Sequence, residues 1–497
     1  MRLKIFLFTF LTILVAAMTA RAAVFEPVAA PNPWPDDYGR LTGMEHWKEW
    51  GTYNVHDPSC LKVGDYYYMY STDAILHENR REARRLGVPL GFIQTRRSRD
   101  LVNWEFVGWA FDSIPAEAVE WVRMLNNGRG AYNIWAPYII KAGDRFRLYY
   151  SVSAFGRPTS YIGMAESDSP EGPWTQTGCV VKTDTNTPMN AIDPTVIADT
   201  DGRWWMHYGS YFGGIYCVEL DPATGLTKKP GDLGHLTARR ANYKVDNLEA
   251  PEILYHPDLD TYYLFGSYEP LLTTYNVRVC RSDRATGPFI DFHGREMRDT
   301  TNNYPILTAP YRFDRHDGWA GTGHCGVFSD GNGRYFMAHQ GRLSPGHDMM
   351  DLHLRQVFFT PSGWPVVSPE RYAGVTPRHF DTADLSGVWE IIHITDPRSD
   401  RGLEAGQVLW GEGGLKPGEC AVSQTCAIYP DGYLTATGTV GNWSFDDNNQ
   451  TLSLTLGDRT ITDLIVHAGH DWERQADTVL FTGLDADGNT VWGKRVK

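Results

Sequence analysis

The stretch NAIDPTVIADTDGRWWMHYGS, residues Asn190 to Ser210, decides how the chain is read. An Asp-Pro pair opens it, a short apolar run follows (Thr195 to Ala198), then a polar tip (Asp199 to Gly202) and an aromatic run (Trp204 to Tyr208). Two apolar runs around a polar, Gly-containing tip predict a β-hairpin. Asp199, Asp201 and Gly202 also resemble part of a calcium loop. No helix pattern flanks them and no carboxylate closes a twelve-residue loop, so the hairpin turn is the better reading.

The same pattern recurs, which turns one hairpin into an architecture. It appears as DPSCLKVGDYYYMYS from Asp57, APYIIKAGDRFRLYYS from Ala136, the opening stretch from Asp193, APEILYHPDLDTYYLFGS from Ala250 and HCGVFSDGNGRYFMAHQG from His324. Four of these blocks lead into a second turn-and-strand feature: Arg97 to Gly108, Glu166 to Gly178, Glu219 to Gly231 and Arg281 to Gly294. Units of two hairpins, about 55 to 80 residues apart and without amphipathic helices between them, predict an all-β five-bladed β-propeller. The first strand of each blade lies nearest the axis, so Asp57, Ala136, Asp193, Ala250 and His324 should ring one mouth of the channel. One residue earlier stand His56, Trp135, Ile192, Glu249 and Gly323.

Two segments break the period, Thr72 to Leu86 and Pro115 to Asn127, and read as partly helical excursions over a propeller face. From Thr376 the blade pattern stops. Short alternating runs such as GYLTATGTV and DTVLFTG, joined by turns at Pro430 to Gly432 and Asp485 to Asn489, predict a separate small β-barrel or sandwich over residues 376–497. Trp389, Trp443 and Trp492 in it could bind sugar, with packing the preferred role.

The amino terminus, MRLKIFLFTFLTILVAAMTARAA, has a basic start, an apolar run from Ile5 to Ala17 and small residues at Ala20 and Ala22. It predicts a signal peptide over residues 1–22 and an exported protein, periplasmic or extracellular, without a membrane span. The catalytic unit would then occupy residues 23–375. Formal net charge is −14, and −17 without Arg2, Lys4 and Arg21, which argues against nucleic acid and anionic membranes as partners. The aromatic content of 13% suits β-architecture and sugar-facing surfaces. Seven cysteines without CxxC spacing indicate neither a zinc site nor a disulfide scaffold, though Cys420 and Cys426 could close a small loop.

Function is sought at the ring. An Asp-Pro turn can be purely structural, but two blocks carry Ala in the same slot, so the turn itself does not need an acid. Asp57, Asp193, Glu249 and His324 would therefore converge on one channel mouth, an arrangement suited to acid/base hydrolysis.

The segments HDP at His56 to Pro58, NAIDP at Asn190 to Pro194, LEAPE at Leu248 to Glu252 and GTGHCGVF at Gly321 to Phe328 resemble glycoside hydrolase family 43. GSYFGGIY from Gly209, YNVRVCRSDRATGPF from Tyr275 and WPVVSPERYA from Trp364 are most similar to its longer endo-1,5-α-L-arabinanases, which carry a C-terminal β-barrel. The resemblance implies an inverting enzyme acting on arabinan. In it Asp57 is the general base, Glu249 the general acid, and Asp193 the residue that tunes the pKa of Glu249. Trp135 at the rim could stack on a sugar ring and Arg342 resembles a substrate-contacting Arg of the family, each with a packing or salt-bridge role as the alternative; the resemblance further implies His324 as ligand to a calcium or similar ion held mostly by water. The family segment commonly reads GHNS-like where this chain has HCG, which removes polar side chains near such an ion. Glu252, two strand positions beyond Ala250, competes with Glu249 as acid. Rival functions are a same-family arabinofuranosidase or β-xylosidase, a retaining fructan-acting propeller whose motifs are missing here, and a non-catalytic glycan-binding propeller.

Overall fold

Turn residues placed between short alternating runs give antiparallel meanders, in which each strand pairs with its sequence neighbour. The computed structural model describes residues 43–73, 77–241, 247–343, 350–397 and 419–496, so the expected signal peptide lies outside the described residues. One sheet holds β1 (His56–Val63), β2 (Tyr66–Thr72), β3 (Phe92–Ser98) and β4 (Glu105–Phe111). A second holds β5 (Trp135–Ala142), β6 (Arg145–Ser153), β7 (Ser160–Ser167) and β8 (Thr175–Thr183). A third holds β9 (Thr195–Ala198), β10 (Trp204–Tyr208), β11 (Ile215–Leu220) and β12 (His235–Ala238). A fourth holds β13 (Leu248–His256), β14 (Thr261–Tyr268), β15 (Asn276–Ser282) and β16 (Ile306–Thr308).

These four separate four-stranded sheets make a propeller-like arrangement. A larger, seven-stranded sheet follows, built from β17 (Tyr311–Arg312), β18 (Trp319–Ala320), β19 (Cys325–Ser329), β20 (Tyr335–Leu343), β21 (Asp351–Phe359), β22 (Pro365–Val367) and the later strand β24 (Ala421–Val422). The leading strands touch side by side: β1 meets β5 and β19, β9 meets β5 and β13, and β13 meets β19. Gly326 shows how close the backbones come, since a Cβ there would lie 2.4 Å from the Pro58 carbonyl oxygen.

The opening hairpin is β9–β10, with Val196 opposite Met206 and Thr195 opposite His207. Asp199 closes its turn, its Oδ1 accepting from the amides of Asp201 and Arg203 at 3.0 and 2.9 Å. The carboxylate is thus spent on the turn, as the hairpin reading requires. The two irregular segments each contain a helix, α1 (His77–Leu86) and α2 (Ala116–Leu125). The second buries Ala118 and Val122 in a cluster with Ile134, Val152 and Tyr161, fixing it to the second sheet.

After the short helix α3 (Thr382–Leu385) comes a closed eight-stranded barrel, rather than a sandwich. Its strands are β23 (Gly387–Ile394), β25 (Gln424–Ile428), β26 (Tyr433–Ala436), β27 (Thr439–Asp446), β28 (Thr451–Leu456), β29 (Arg459–Asp471), β30 (Ala476–Leu484) and β31 (Thr490–Arg495). Trp389, Trp443 and Trp492 are all buried, so the packing reading of these rings holds. Trp492 instead joins the barrel to the propeller, its Nε1 donating to the Val367 carbonyl at 3.0 Å. All seven cysteines are free thiols, Cys420 and Cys426 included. Among the described residues no helix is long and apolar enough to cross a membrane.

Candidate active site

The ring positions aligned from sequence share an unusual backbone. Asp57, Ala136, Asp193, Ala250 and His324 have φ of 50°, 44°, 56°, 54° and 48°, all in the left-handed region. For residues with a Cβ this costs roughly 1–2 kcal/mol each and persists only where surroundings impose it. The pairing of β1 with β2, β5 with β6 and β13 with β14 slips at this point, between His56 and Ser59, Trp135 and Tyr138, and Glu249 and Glu252. Such irregularities turn a strand's end and re-aim its side chains.

Asp57 is held from three sides. Its Oδ1 lies 2.8 Å from His324 Nδ1, its Oδ2 accepts from Thr72 Oγ1 at 2.5 Å, and its amide donates to Gln340 Oε1 at 3.2 Å. Burial alone would push the Asp57 carboxyl up, but the charge of the His324 imidazolium and the hydrogen bonds from His324 and Thr72 outweigh it and hold it at about 2. His324 responds in the opposite sense. Burial lowers it, yet Asp57, Asp193 and Glu249 together raise it to about 9.

The other two carboxyls sit in the reverse environment. Asp193 Oδ2 accepts from the Ala250 amide at 3.2 Å, while its own amide donates to Ser151 Oγ at 3.1 Å. Burial, then the repulsion of Glu249 and Asp57, pushes Asp193 up to about 8 against the pull of His324. Glu249 Oε2 accepts from Ser210 Oγ at 2.6 Å, and its carboxyl is likewise raised by burial and by Asp57. Burial acts on the two carboxyls in the same direction, and the ionised form of either would repel that of the other.

Glu252 faces elsewhere. It is buried between sheets, Oε1 accepting from the Val327 amide at 3.0 Å and Oε2 from Thr195 Oγ1 at 3.1 Å. With both oxygens committed to architecture it serves as a brace, although burial raises its carboxyl to about 8. Trp135 starts β5 half-buried, and half-buried Arg342 donates from Nη1 to the Leu272 carbonyl at 2.6 Å. Residues not singled out from sequence also belong here: Thr72, Ser210, Ser267, Gln340, and Tyr275, whose buried hydroxyl lies beside Glu249 without a well-formed hydrogen bond. A signal for several was present, because the repeat blocks end YS, YYS, YGS and FGS at the second strand of each hairpin.

A calcium ion takes six to eight oxygen ligands. At His324 the Nδ1 atom is engaged by Asp57, and the next residues, Cys325 and Gly326, bring no side-chain oxygen, so among the described residues no protein-ligated calcium site forms there. Among the described residues the potential metal donors converge at Glu370, Asp471 and Glu473. The Lys494 ammonium already lies against all three.

Residues 51–365 match glycosyl hydrolases family 43. The chain belongs to that family. It is a glycoside hydrolase, and residues 369–493 match the family's C-terminal lipocalin-like domain. An extracellular endo-alpha-(1->5)-L-arabinanase of Thermotoga petrophila is 30% identical over 490 residues, covering 89% of this chain and 94% of the relative. The crystal structure of an endo-1,5-alpha-L-arabinanase from Thermotoga petrophila superposes with a TM-score of 0.72 at 28% identity, over 90% of this chain and 99% of that one. An extracellular exo-alpha-(1->5)-L-arabinofuranosidase of Cellvibrio japonicus is 29% identical over 63% of this chain and 86% of its own length. The family 43 chain therefore resembles the Thermotoga enzyme through its barrel as well as its propeller.

Proposed function

We propose that this family 43 hydrolase is exported and cleaves the α-1,5-L-arabinofuranosidic bonds of arabinan within the polymer, with inversion at the anomeric carbon. The observation that carries the mechanism is the contrast between Asp57, held ionised at about 2, and Glu249, whose carboxyl is raised by burial. An ionised carboxylate can accept a proton from water and a protonated one can give a proton to a leaving oxygen. Water bonds to the anomeric carbon as Asp57 takes its proton. The glycosidic C–O bond breaks, and Glu249 delivers its proton to the departing oxygen. Asp193 tunes Glu249, with one oxygen anchored on the Ala250 amide. Inversion needs space for water between base and acid, which different sheets of a ring can supply.

The internal mode of cleavage is supported by the Thermotoga relative named as endo-acting, which matches over both domains. The exo-acting Cellvibrio relative gives the competing reading, in which one end of the cleft is closed. Trp135 would stack on a sugar ring and Arg342 would contact the substrate. We further assign five blades, the fifth formed by β19 to β22, because these strands pair in the same order as the other four meanders and β19 touches both β1 and β13. The catalytic unit would span residues 23–375 and the barrel 376–497, the first barrel strand beginning at Gly387. A calcium ion at His324 would draw nearly all its ligands from water, and no step above depends on it.

Incubation with linear arabinan, followed by sizing of products and NMR of the newly formed anomer, tests the proposal. Short internal fragments of inverted configuration are expected. Retained configuration removes the mechanism, and release of single sugars from chain ends favours the exo reading.

A further inference from the structure

The left-handed ring residues turn their amides out of their own ladders, and each amide meets the neighbouring blade. The Ala136 amide donates to Thr72 Oγ1 at 2.7 Å, Asp193 to Ser151 Oγ at 3.1 Å, His324 to Ser267 Oγ at 2.8 Å and Asp57 to Gln340 Oε1 at 3.2 Å. The acceptors occupy one structural position. Thr72, Ser151 and Ser267 pair across from His56, Trp135 and Glu249, and the Gln340 amide bonds to the Gly323 carbonyl, so each stands opposite the residue before a ring residue.

The third blade has Gly209 at that position, its amide bonded to the Ile192 carbonyl. Gly209 has φ of 140°, and a Cβ would lie 2.2 Å from the Gly214 carbonyl oxygen, so no side chain fits. There the Ala250 amide takes Asp193 Oδ2 instead, at 3.2 Å.

We propose that Thr72, Ser151, Ser267 and Gln340 are positioning residues that form a closed circuit of blade-to-blade clasps around the channel mouth, with Asp193 completing it where Gly209 leaves a gap. The circuit fixes the reacting side chains relative to one another, since each clasp ties one blade to the residue that carries, or directly follows, a functional side chain on the next. Thr72 acts twice. Its oxygen accepts from Ala136, so its hydrogen is left for Asp57 Oδ2, tying the base to the second blade. The inference rests on the reading of Asp57, Asp193 and Glu249 as the reacting groups.

The test uses the full-length chain with Thr72→Val, Thr72→Ser and Ser267→Ala, measuring arabinan turnover and site-resolved amide hydrogen exchange. Thr72→Val is expected to lower kcat about tenfold or more with KM little changed, because a small misplacement of a reacting group lowers rate more than binding. Thr72→Ser should restore most of the rate. Exchange should quicken in the segment around Ala136 for Thr72→Val and around His324 for Ser267→Ala, and not at the other ring positions. Unchanged exchange at the named amide, or no rescue by serine, overturns the clasp. If Thr72→Val does not fold, Ser267→Ala carries the exchange test by itself. Asp57→Ala run in parallel separates the two readings: if it still cleaves arabinan the catalytic assignment falls, while the exchange data continue to decide the circuit.

Discussion

Asp57 Oδ1 and His324 Nδ1 stand 2.8 Å apart, joining the proposed base on the first blade to the ring residue that leads into β19. The imidazole, raised from 6.5 to about 9, contributes stability fully present below pH 6.5 and lost as pH rises through about 9. The carboxyl, lowered from 3.8 to about 2, contributes stability present above pH 3.8 and lost as pH falls through about 2. His324→Gln should therefore destabilise the protein most near pH 5 to 6, by about 3–5 kcal/mol, because it leaves a buried carboxylate uncompensated. Denaturant unfolding of both proteins at pH 5.5 and pH 9.5 checks this. A loss as large at the higher pH would show that the ion pair is not its source.

Glu249 is assigned the proton delivered to the leaving oxygen. Glu249→Gln keeps an acceptor for Ser210 but has no proton to give, so arabinan cleavage should fall by about 10²–10⁴-fold. An aryl arabinoside with an acidic phenol needs little protonation on departure, and its hydrolysis should fall far less. Equal losses on both substrates would remove Glu249 as the acid and return attention to Glu252.

Much of this site was legible because turn chemistry recurs. Asp57-Pro58 and Asp193-Pro194, with Ala and His in the matching slots, were enough to align the ring. Its left-handed backbone was not legible, since alanine at 136 and 250 carries none of the Gly or Asn signal by which such conformations are usually noticed. The partners of the ring residues were also hidden. Gln340 is 283 residues from Asp57 and Ser267 is 57 from His324, so neither shares a local motif with the residue it holds. Burial, which raises Asp193 and Glu249 alike, also leaves no local mark in the sequence. In the barrel the packing role preferred for Trp389, Trp443 and Trp492 follows from alternation along β23, β27 and β31, which turns these rings inward.

Asp193 and Glu249 repel each other's ionised forms, so each helps the other keep a proton. Asp193→Asn removes the negative charge that Asp193 takes on as pH rises through about 8, and the Glu249 carboxyl should then ionise at lower pH. The basic limb of kcat/KM against pH should move toward acid, with the deficit relative to the unaltered enzyme larger at pH 8 than at pH 5.5. A uniform deficit at all pH values would assign Asp193 to positioning alone.

The barrel is fastened to the propeller through Lys494, whose Nζ lies 2.6 Å from Glu370 and 3.1 Å from Asp471, also bonds Glu473, and sits 3.8 Å from the centre of the Phe313 ring. Glu370 and Phe313 come before the barrel in sequence, whereas Asp471, Glu473 and Lys494 belong to it, so one ammonium neutralises acids from both sides of the junction. Burial, then Glu473, raises Glu370 to about 8 even with Lys494 present. Lys494→Met would leave Glu370 and Glu473 without their cation, while Asp471 keeps Arg474 at 3.1 Å. At low pH Glu370 can take up a proton and become neutral, while at high pH it stays charged beside its acidic neighbours. The variant should thus lose about 3–5 kcal/mol near pH 8.5 and distinctly less near pH 5, read from denaturant midpoints at the two pH values. Arabinan turnover per folded molecule should be retained at pH 5, because the ring residues are held by the blades and not by the barrel. A stability loss independent of pH would mean that Lys494 acts through packing on Phe313 rather than as the counter-ion of the junction.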